Sequence, residues 1–452
     1  MSRLTIVRKL SRAIVLMSMA VVLVGGRSGA AELKVGTAET VITPILNSPM
    51  AGYYFDRTAD GVHDDLMAKA ILFSQEDNLV GLLACDLIEL PGPVVDRAKS
   101  LIEQRTGIPP KNVIVNATHA HTGPRHRPGY DDWLVEKLAD TVQMAASNMV
   151  PAQLAFGVGE EDRLPYHRRF WMKDETLRTN PGKLNPDIVR PAGGVDSSVP
   201  VLAAFDNNGA PRAIMVNYAL HLDTIGGTSI SADFPHVVAS ILGRALQPGL
   251  TTLHTTGACG NINHWDVKSG DPQRSFAEAE RIGTILAGEV LKVTKMSQSI
   301  PVDRVAGVLK NVDLPLKSFT EEELAKAREI VKVPNPPNVD FVLERVWALR
   351  ALEVAKRGQA TITAPVQAIC LGDLALVAVP CELFYELGLD IKQRSPFPHT
   401  VVITLANDNI GYVPRETDYK NGGYEVVSSR LAPGGGEQLV DAALEMLEVL
   451  RQ

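Results

Sequence analysis

The sequence predicts an α/β protein, and three observations carry that expectation. Short apolar, β-branched runs such as Val113 to Val115 and Val401 to Leu405 recur along the chain. Amphipathic helical stretches stand between them, and several of the runs end in residues suited to chemistry. The order from Leu79 through Thr106 to Asn116 is strand, helix, strand, a βαβ unit whose ligands usually gather at the carboxyl ends of the strands. An apolar fraction of 45% and a charged fraction of 21% are those of an ordinary globular chain. A formal net charge of −7 argues against nucleic acid as a partner, because no basic surplus is available to neutralise phosphates.

Taken in order, residues 1–31 read as a signal peptide. Arg3, Arg8, Lys9 and Arg12 make a basic start, Ala13 to Val24 is an apolar run of about a dozen residues, and Ser28-Gly29-Ala30-Ala31 offers small residues for cleavage. The run is shorter than the ~20 residues a transmembrane helix needs, and no later stretch qualifies. The mature chain is therefore expected to be exported to the periplasm, cell surface or medium without a transmembrane segment; an uncleaved anchor is the other reading. Cys85, Cys259, Cys370 and Cys381 are too few for a disulfide scaffold but can pair in an oxidising compartment.

Leu33 to Ile45 is the opening strand, turning at Thr43-Pro44. A polar loop at Gly61 to Asp65 follows, in which His63 and two carboxylates either line a site or face solvent. Met67 to Ser74 and Leu79 to Leu87 read as paired strands, and Pro93 to Thr106 as a helix with Val94, Val95, Ala98, Leu101 and Ile102 on its apolar side. The strand at Val113 stops near Asn116 and runs into His119 and His121. In extended backbone alternate side chains point the same way, so these histidines either converge on one ion or belong to a polar loop. Asp131 to Met149 is a helix pattern and Leu154 to Val158 a strand. Arg163 to Ala192, with His167-Arg168-Arg169, Tyr166, Phe170 and Trp171, shows neither period and is expected to be an ordered loop covering the substrate.

Val199 to Asp206 and Arg212 to Leu220 flank Asn207-Asn208-Gly209 as a hairpin that ends at His221. Val237 to Leu246 is an amphipathic helix. Thr251 to Thr256 is a strand leading into Gly257 to Asp266, where small residues let backbone approach a ligand. Ser275 to Lys295 and Thr320 to Arg357 are charged helical stretches, the second interrupted at Pro334 to Pro337. Gln367 to Pro380 gives strands around Gly372-Asp373 and delivers Glu382. Val401 to Leu405 leads to Tyr412 and a glycine-rich loop as far as Tyr424, and Ala432 to Leu450 closes the chain with a helix. Asp86 and Asp233 are placed either to orient a ligating histidine or to cap helices.

The recurring theme is an apolar strand ending in a potential ligand: His119, His221, Glu382 and, one loop later, Tyr412. Two histidines and a carboxylate leave zinc an open position, the arrangement of hydrolytic sites. Four segments in this order resemble the catalytic domain of the neutral/alkaline (non-lysosomal) ceramidases over most of residues 33–430. Asn116-Ala-Thr-His-Ala-His-Thr-Gly-Pro124 is similar to that family's histidine motif, and Asn217-Tyr-Ala-Leu-His221 to its second histidine strand. Val379-Pro-Cys-Glu382 is similar to its glutamate turn, and Gly411-Tyr412 with Tyr424 to its late tyrosine loop.

The resemblance implies layered, mixed β-sheets covered by helices. Residues 32–452 would form a single catalytic domain, the family's C-terminal immunoglobulin-like domain being absent. It implies Zn2+ held by His119, His221, Glu382 and Tyr412. His121 and Tyr424 would orient an amide or stabilise its oxyanion, with Arg168 or Arg169 matching a family arginine. Asn263 stands where the family carries an active-site serine, so a serine-dependent step is lost; His264 beside it offers acid/base function. The function implied is an exported zinc-dependent hydrolase cleaving an amide (N-acyl) bond by zinc-activated water, on a small-molecule, lipid or glycoconjugate substrate. Two alternatives stand beside it. One is a zinc-assisted enzyme on a polysaccharide, with Tyr424 as base, His121 as acid and an arginine as carboxylate clamp. The other is a non-catalytic metal-containing binding protein.

Overall fold

The computed structural model describes residues 32–333 and 339–452. The expected signal peptide and the Pro334 to Pro337 interruption lie outside the described residues. Along the strand Met67–Gln75, Ala68, Ala70 and Leu72 face one core, and Ile71 and Phe73 face another. That two-residue alternation sets the architecture, because each face of the sheet must be covered by a different layer. The sheet has nine strands. Eight follow the order Thr251–Thr256, Pro211–Tyr218, Ser198–Asp206, Val150–Glu160, Lys34–Val41, Met67–Gln75, Asn78–Cys85 and Val113–Ala117, with Gln298–Ile300 paired beside Val150–Glu160.

A second sheet of Val305–Pro315, Thr361–Leu371, Leu374–Ala378 and His399–Ile403 packs against its inner face. Phe73, Leu82 and Ile114 from the first sheet meet Ile369, Leu376 and Ile403 from the second. Outside the large sheet lie the helices Gly92–Thr106 and Pro128–Ser147 over one half and Phe234–Ala245 and Phe276–Met296 over the other. Outside the second sheet lie Tyr385–Arg394 and Gly435–Arg451. The result is helix, sheet, sheet, helix, the layered mixed architecture expected.

Within these two sheets most strand pairs are antiparallel, but three are parallel: Asn78–Cys85 with Val113–Ala117, Pro211–Tyr218 with Thr251–Thr256, and Leu374–Ala378 with His399–Ile403. The carboxyl ends of these pairs come together. Thr404 N donates to Thr256 O at 2.9 Å, Ala117 N to Leu405 O at 3.0 Å, Asn407 N to Val115 O at 2.7 Å, and Thr256 Oγ1 to Thr118 O at 2.7 Å. One short segment after His399–Ile403 thus ties both edges of the large sheet at one place.

Three features differ from the sequence reading. Arg163 to Ala192 is not one loop: Arg169–Met172, Leu177–Thr179 and Ile188–Pro191 form a small sheet, and Tyr166–His167 pairs with Ile262–Asn263. Strands of two to four residues are too short to display a period. Val305–Pro315 is a full sheet strand, but its central residues 309–311 are exposed, which erases the alternation. The four cysteines are buried and free, so the described residues contain no disulfide. No helix among the described residues is long and apolar enough to cross a membrane.

Candidate metal centre

The site grows from the ends of the parallel strands. Beyond Val113–Ala117 the chain is held by Thr118 N to Cys85 O, His119 N and Ala120 N to Leu87 O, and His121 N to Leu222 O. His119 takes a left-handed backbone, φ 77°, which costs a non-glycine residue free energy and is typical of functional positions. Glu382–Leu383 pairs in parallel with Tyr412–Val413, and the register places Glu382 directly beside Tyr412. Gly260 makes room for that turn: a Cβ there would lie 2.4 Å from the Glu382 carbonyl oxygen. Gly52, at φ +99°, similarly approaches the His121 carbonyl more closely than any side chain allows.

Each of three histidines gives its Nδ1 to a backbone carbonyl: His119 to Ile88 O at 2.8 Å, His221 to Cys259 O at 3.0 Å, and His121 to Gly52 O at 3.2 Å. A carbonyl only accepts, so the neutral rings carry their protons on Nδ1 and turn bare Nε2 atoms inward. His119 Nε2 and His121 Nε2 are 3.3 Å apart. Glu382 Oε2 lies 3.4 Å from His119 Nε2 and 3.3 Å from His221 Nε2, is buried, and has no hydrogen-bond partner. A cation among these atoms would stabilise the arrangement. His119, His121 and His221 form a group able to hold a metal ion, and Glu382 and Tyr412 adjoin it.

Burial alone would raise the Glu382 carboxyl, but the two histidines it faces, His119 first, hold it well below the usual range. Burial pulls the histidines down. For His119 the contact with Glu382 outweighs this and the net shift is upward, whereas His221 falls well below its ordinary value because the Arg168 guanidinium stands beside it. His121 is pulled to about 3, by burial and then by His119. Burial raises the Tyr412 phenol well above its ordinary value, so it is neutral unless a dication displaces its proton.

Arg168 Nη1 is 3.2 Å from His221 Nε2, Nη2 donates to Gly260 O at 2.7 Å, and Nε donates to Glu425 at 2.7 Å. Its guanidinium carbon lies 5.1 Å from the Tyr412 ring centroid and 6.0 Å from that of Tyr424. Arg169 instead clamps the late loop through Asp418 and Gly422 O, both at 2.8 Å. Of the two arginines, Arg168 is the one at the histidines. The Tyr412 and Tyr424 rings are 5.4 Å apart, and the Tyr424 hydroxyl meets that of Tyr54 at 2.7 Å.

Asn263 is buried near the site, and its hydrogen bonds run to Asn180 Oδ1 at 2.8 Å and from Trp265 N at 3.1 Å. His264 donates Nε2 to Gln273 O at 2.7 Å, and its Nδ1 is buried without a partner. Asp233 accepts from Phe234 N and so caps the helix Phe234–Ala245. Asp86 accepts from Met67 N and Thr118 Oγ1, which braces the strand end under His119. His63 pairs with Asp64 at 2.8 Å in a separate cavity lined also by His236 and Phe276.

Sequence reasoning missed Asp223. It stands two residues beyond His221, its Oδ1 lies 4.0 Å from His121 Nδ1, and burial pushes its carboxyl up to about 6. Tyr53, Arg57 and Arg274 gather around it. The only sequence signal is that a carboxylate follows a strand-end histidine at an alternate position.

No family model matches the chain, and no curated protein matches it by sequence. By structure it is similar to the neutral ceramidase from Pseudomonas aeruginosa, with a TM-score of 0.75 at 17% identity over 93% of this chain and 75% of that one. It is also similar to a ceramidase complexed with C2, with a TM-score of 0.73 at 16% identity and the same coverage. The chain has the mixed α/β fold of these neutral ceramidases.

Proposed function

We propose that this protein is an exported zinc-dependent hydrolase that cleaves an amide (N-acyl) bond. The observation that carries the reading is the buried, unpartnered Glu382 Oε2 within 3.4 Å of the Nε2 atom of His119 and 3.3 Å of that of His221. His119, His221, Glu382 and Tyr412 would hold the ion. Zinc bound there supplies Lewis acidity and brings the pKa of a water to about 7. His121, neutral and with Nε2 unprotonated, would accept the proton of the attacking water and pass it to the amide nitrogen as the C–N bond breaks and the amine leaves. The Tyr424 hydroxyl donates to the amide oxygen as negative charge develops on it. Arg168, tied to Glu425, keeps the two tyrosine rings in place beside the histidines. The ceramidase fold supports amide chemistry as its reading, and the basic, apolar N-terminus supports export.

The 3.3 Å between His121 and His119 favours a second assignment, in which His121 joins the ligand set. Hydrolysis of N-acyl substrates, from short N-acetyl compounds to ceramide, is measured before chelation, after it, and after zinc is restored. Activity lost and recovered supports the proposal; amide cleavage indifferent to chelation sinks it. In the His121→Ala variant, zinc retained with turnover lost identifies a base, and zinc lost identifies a ligand.

A further inference from the structure

Beside His121, on the side away from Glu382, lies a group of side chains that metal binding does not use. The Tyr53 hydroxyl donates to Asp223 Oδ1 at 2.6 Å, and Arg274 Nη2 donates to the same oxygen at 2.5 Å. The guanidinium carbons of Arg57 and Arg274 lie 4.0 Å and 4.7 Å from the Tyr53 ring centroid. The Tyr53 ring in turn meets that of His121 edge-on at 6.1 Å, so the cluster adjoins the candidate reacting centre.

Charge and hydrogen bonding are both unbalanced there. Two guanidinium groups flank one carboxylate: Arg274 pairs with Asp223, and Arg57 feels its charge without bonding to it. Arg57 is buried; it donates to the carbonyls of Ala51, His121 and Gly227, yet its Nε has no partner. Arg274 is about one-third exposed and gives Nη2 to Asp223, which leaves most of its five N–H donors for a ligand at the mouth. Arg57 therefore supplies fixed positive charge from below, and Arg274 supplies a planar fork from the rim. Tyr54 and Phe55, 59% and 62% exposed, continue the same loop as an aromatic shelf.

We propose that this Arg57–Tyr53–Arg274 cluster recognises a carboxylate on the substrate, so that the preferred N-acyl compounds are acidic ones such as N-acyl amino acids. Asp223 orients Arg274 and keeps the empty cluster from carrying two unpaired cations. With Asp223 4.0 Å from His121, the carboxylate and the scissile amide are as close as two groups of one small molecule. A plain alkyl chain over the same groups would strip water from Arg274 and Asp223 and return no hydrogen bond.

The proposal rests on the hydrolase reading for its chemistry but is tested by binding. N-acetylphenylalanine and N-acetylphenylalaninamide, which differ only in the carboxylate, are titrated calorimetrically into zinc-loaded wild type, Arg274→Ala and Arg274→Lys. The wild type is expected to bind the acid about tenfold more tightly, the scale of one charge-assisted hydrogen bond. The alanine variant should erase that difference and the lysine variant keep part of it. Equal binding of the two compounds by wild type overturns the proposal. So does a preference that survives in the alanine variant, because the ion would then be what reads the carboxylate. Turnover of the same pair is scored separately: selective binding without cleavage leaves the cluster assigned, and the hydrolase reading is then judged by the chelation experiment alone.

Discussion

Replacing Glu425 by glutamine isolates the strut that holds the tyrosine loop against the histidines. Glu425 is fully buried; Oε1 accepts from Arg168 Nε at 2.7 Å, Oε2 accepts from Thr179 Oγ1 at 2.7 Å, and Oε2 lies 3.5 Å from Arg169 Nε. The side chains of Arg168 and Arg169 are only 6% and 1% exposed, so water cannot replace the lost charge. Removing one partner of a buried ion pair typically costs 3–5 kcal/mol, on the order of the whole stability of many domains. Arg169 retains Asp418, Arg168 retains Gly260 O, and glutamine still accepts one bond. These remnants place the expected cost at the lower end, about 3 kcal/mol. Guanidinium denaturation of wild type and Glu425→Gln at pH 7 reads it directly, with an unchanged slope showing that the same surface unfolds. A loss below about 1 kcal/mol, the worth of an exposed pair, would refute the reasoning.

Three further outcomes follow from the same structure. Gly260→Ala forces a Cβ to within 2.4 Å of the Glu382 carbonyl oxygen, so zinc content should fall sharply and stability by about 1–3 kcal/mol; full zinc content in the variant contradicts the close approach. Lys99 is buried on Gln367 Oε1, and burial pulls it to about 7, below the ~10.4 of an unfolded lysine. Its folded pKa is depressed, so the cost of burying it is fully present below pH 7 and is relieved as pH rises towards 10. Lys99→Met should therefore gain about 2–4 kcal/mol at pH 7, since Asn407 still satisfies Gln367, and the gain should shrink by pH 9.5; a pH-independent difference excludes the account. Tyr54→Phe removes the hydroxyl that meets Tyr424, and on an exposed side chain it should change stability by under about 0.5 kcal/mol while lowering kcat, which denaturation and steady-state rates measure together.

The parts of the site that were legible in sequence are those fixed by strand periodicity. His119, His221 and Glu382 each follow an apolar run, and a run that is buried on both faces must deliver its next residues to the sheet's end. Asp223, Tyr53, Arg57 and Arg274 were not legible, because they sit on loops that meet only through the fold: Tyr53 and Asp223 are separated by 170 positions. The two adjacent arginines could not be told apart either, since alternation in the short strand Arg169–Met172 and the turn before it decides which faces His221. Likewise the curl that joins both edges of the large sheet depends on the backbone of residues 404–407, whose side chains carry no such signal. His119's left-handed backbone is set by contacts with Leu87 and Ile88, not by its own preference.

The central claim is that one cation sits among His119, His221 and Glu382, and its most direct test is metal content by inductively coupled plasma mass spectrometry on the mature chain and on its His119→Ala variant. The account predicts about one zinc per chain in the wild type and none in the variant. No metal in either protein, or the same content in both, would contradict it.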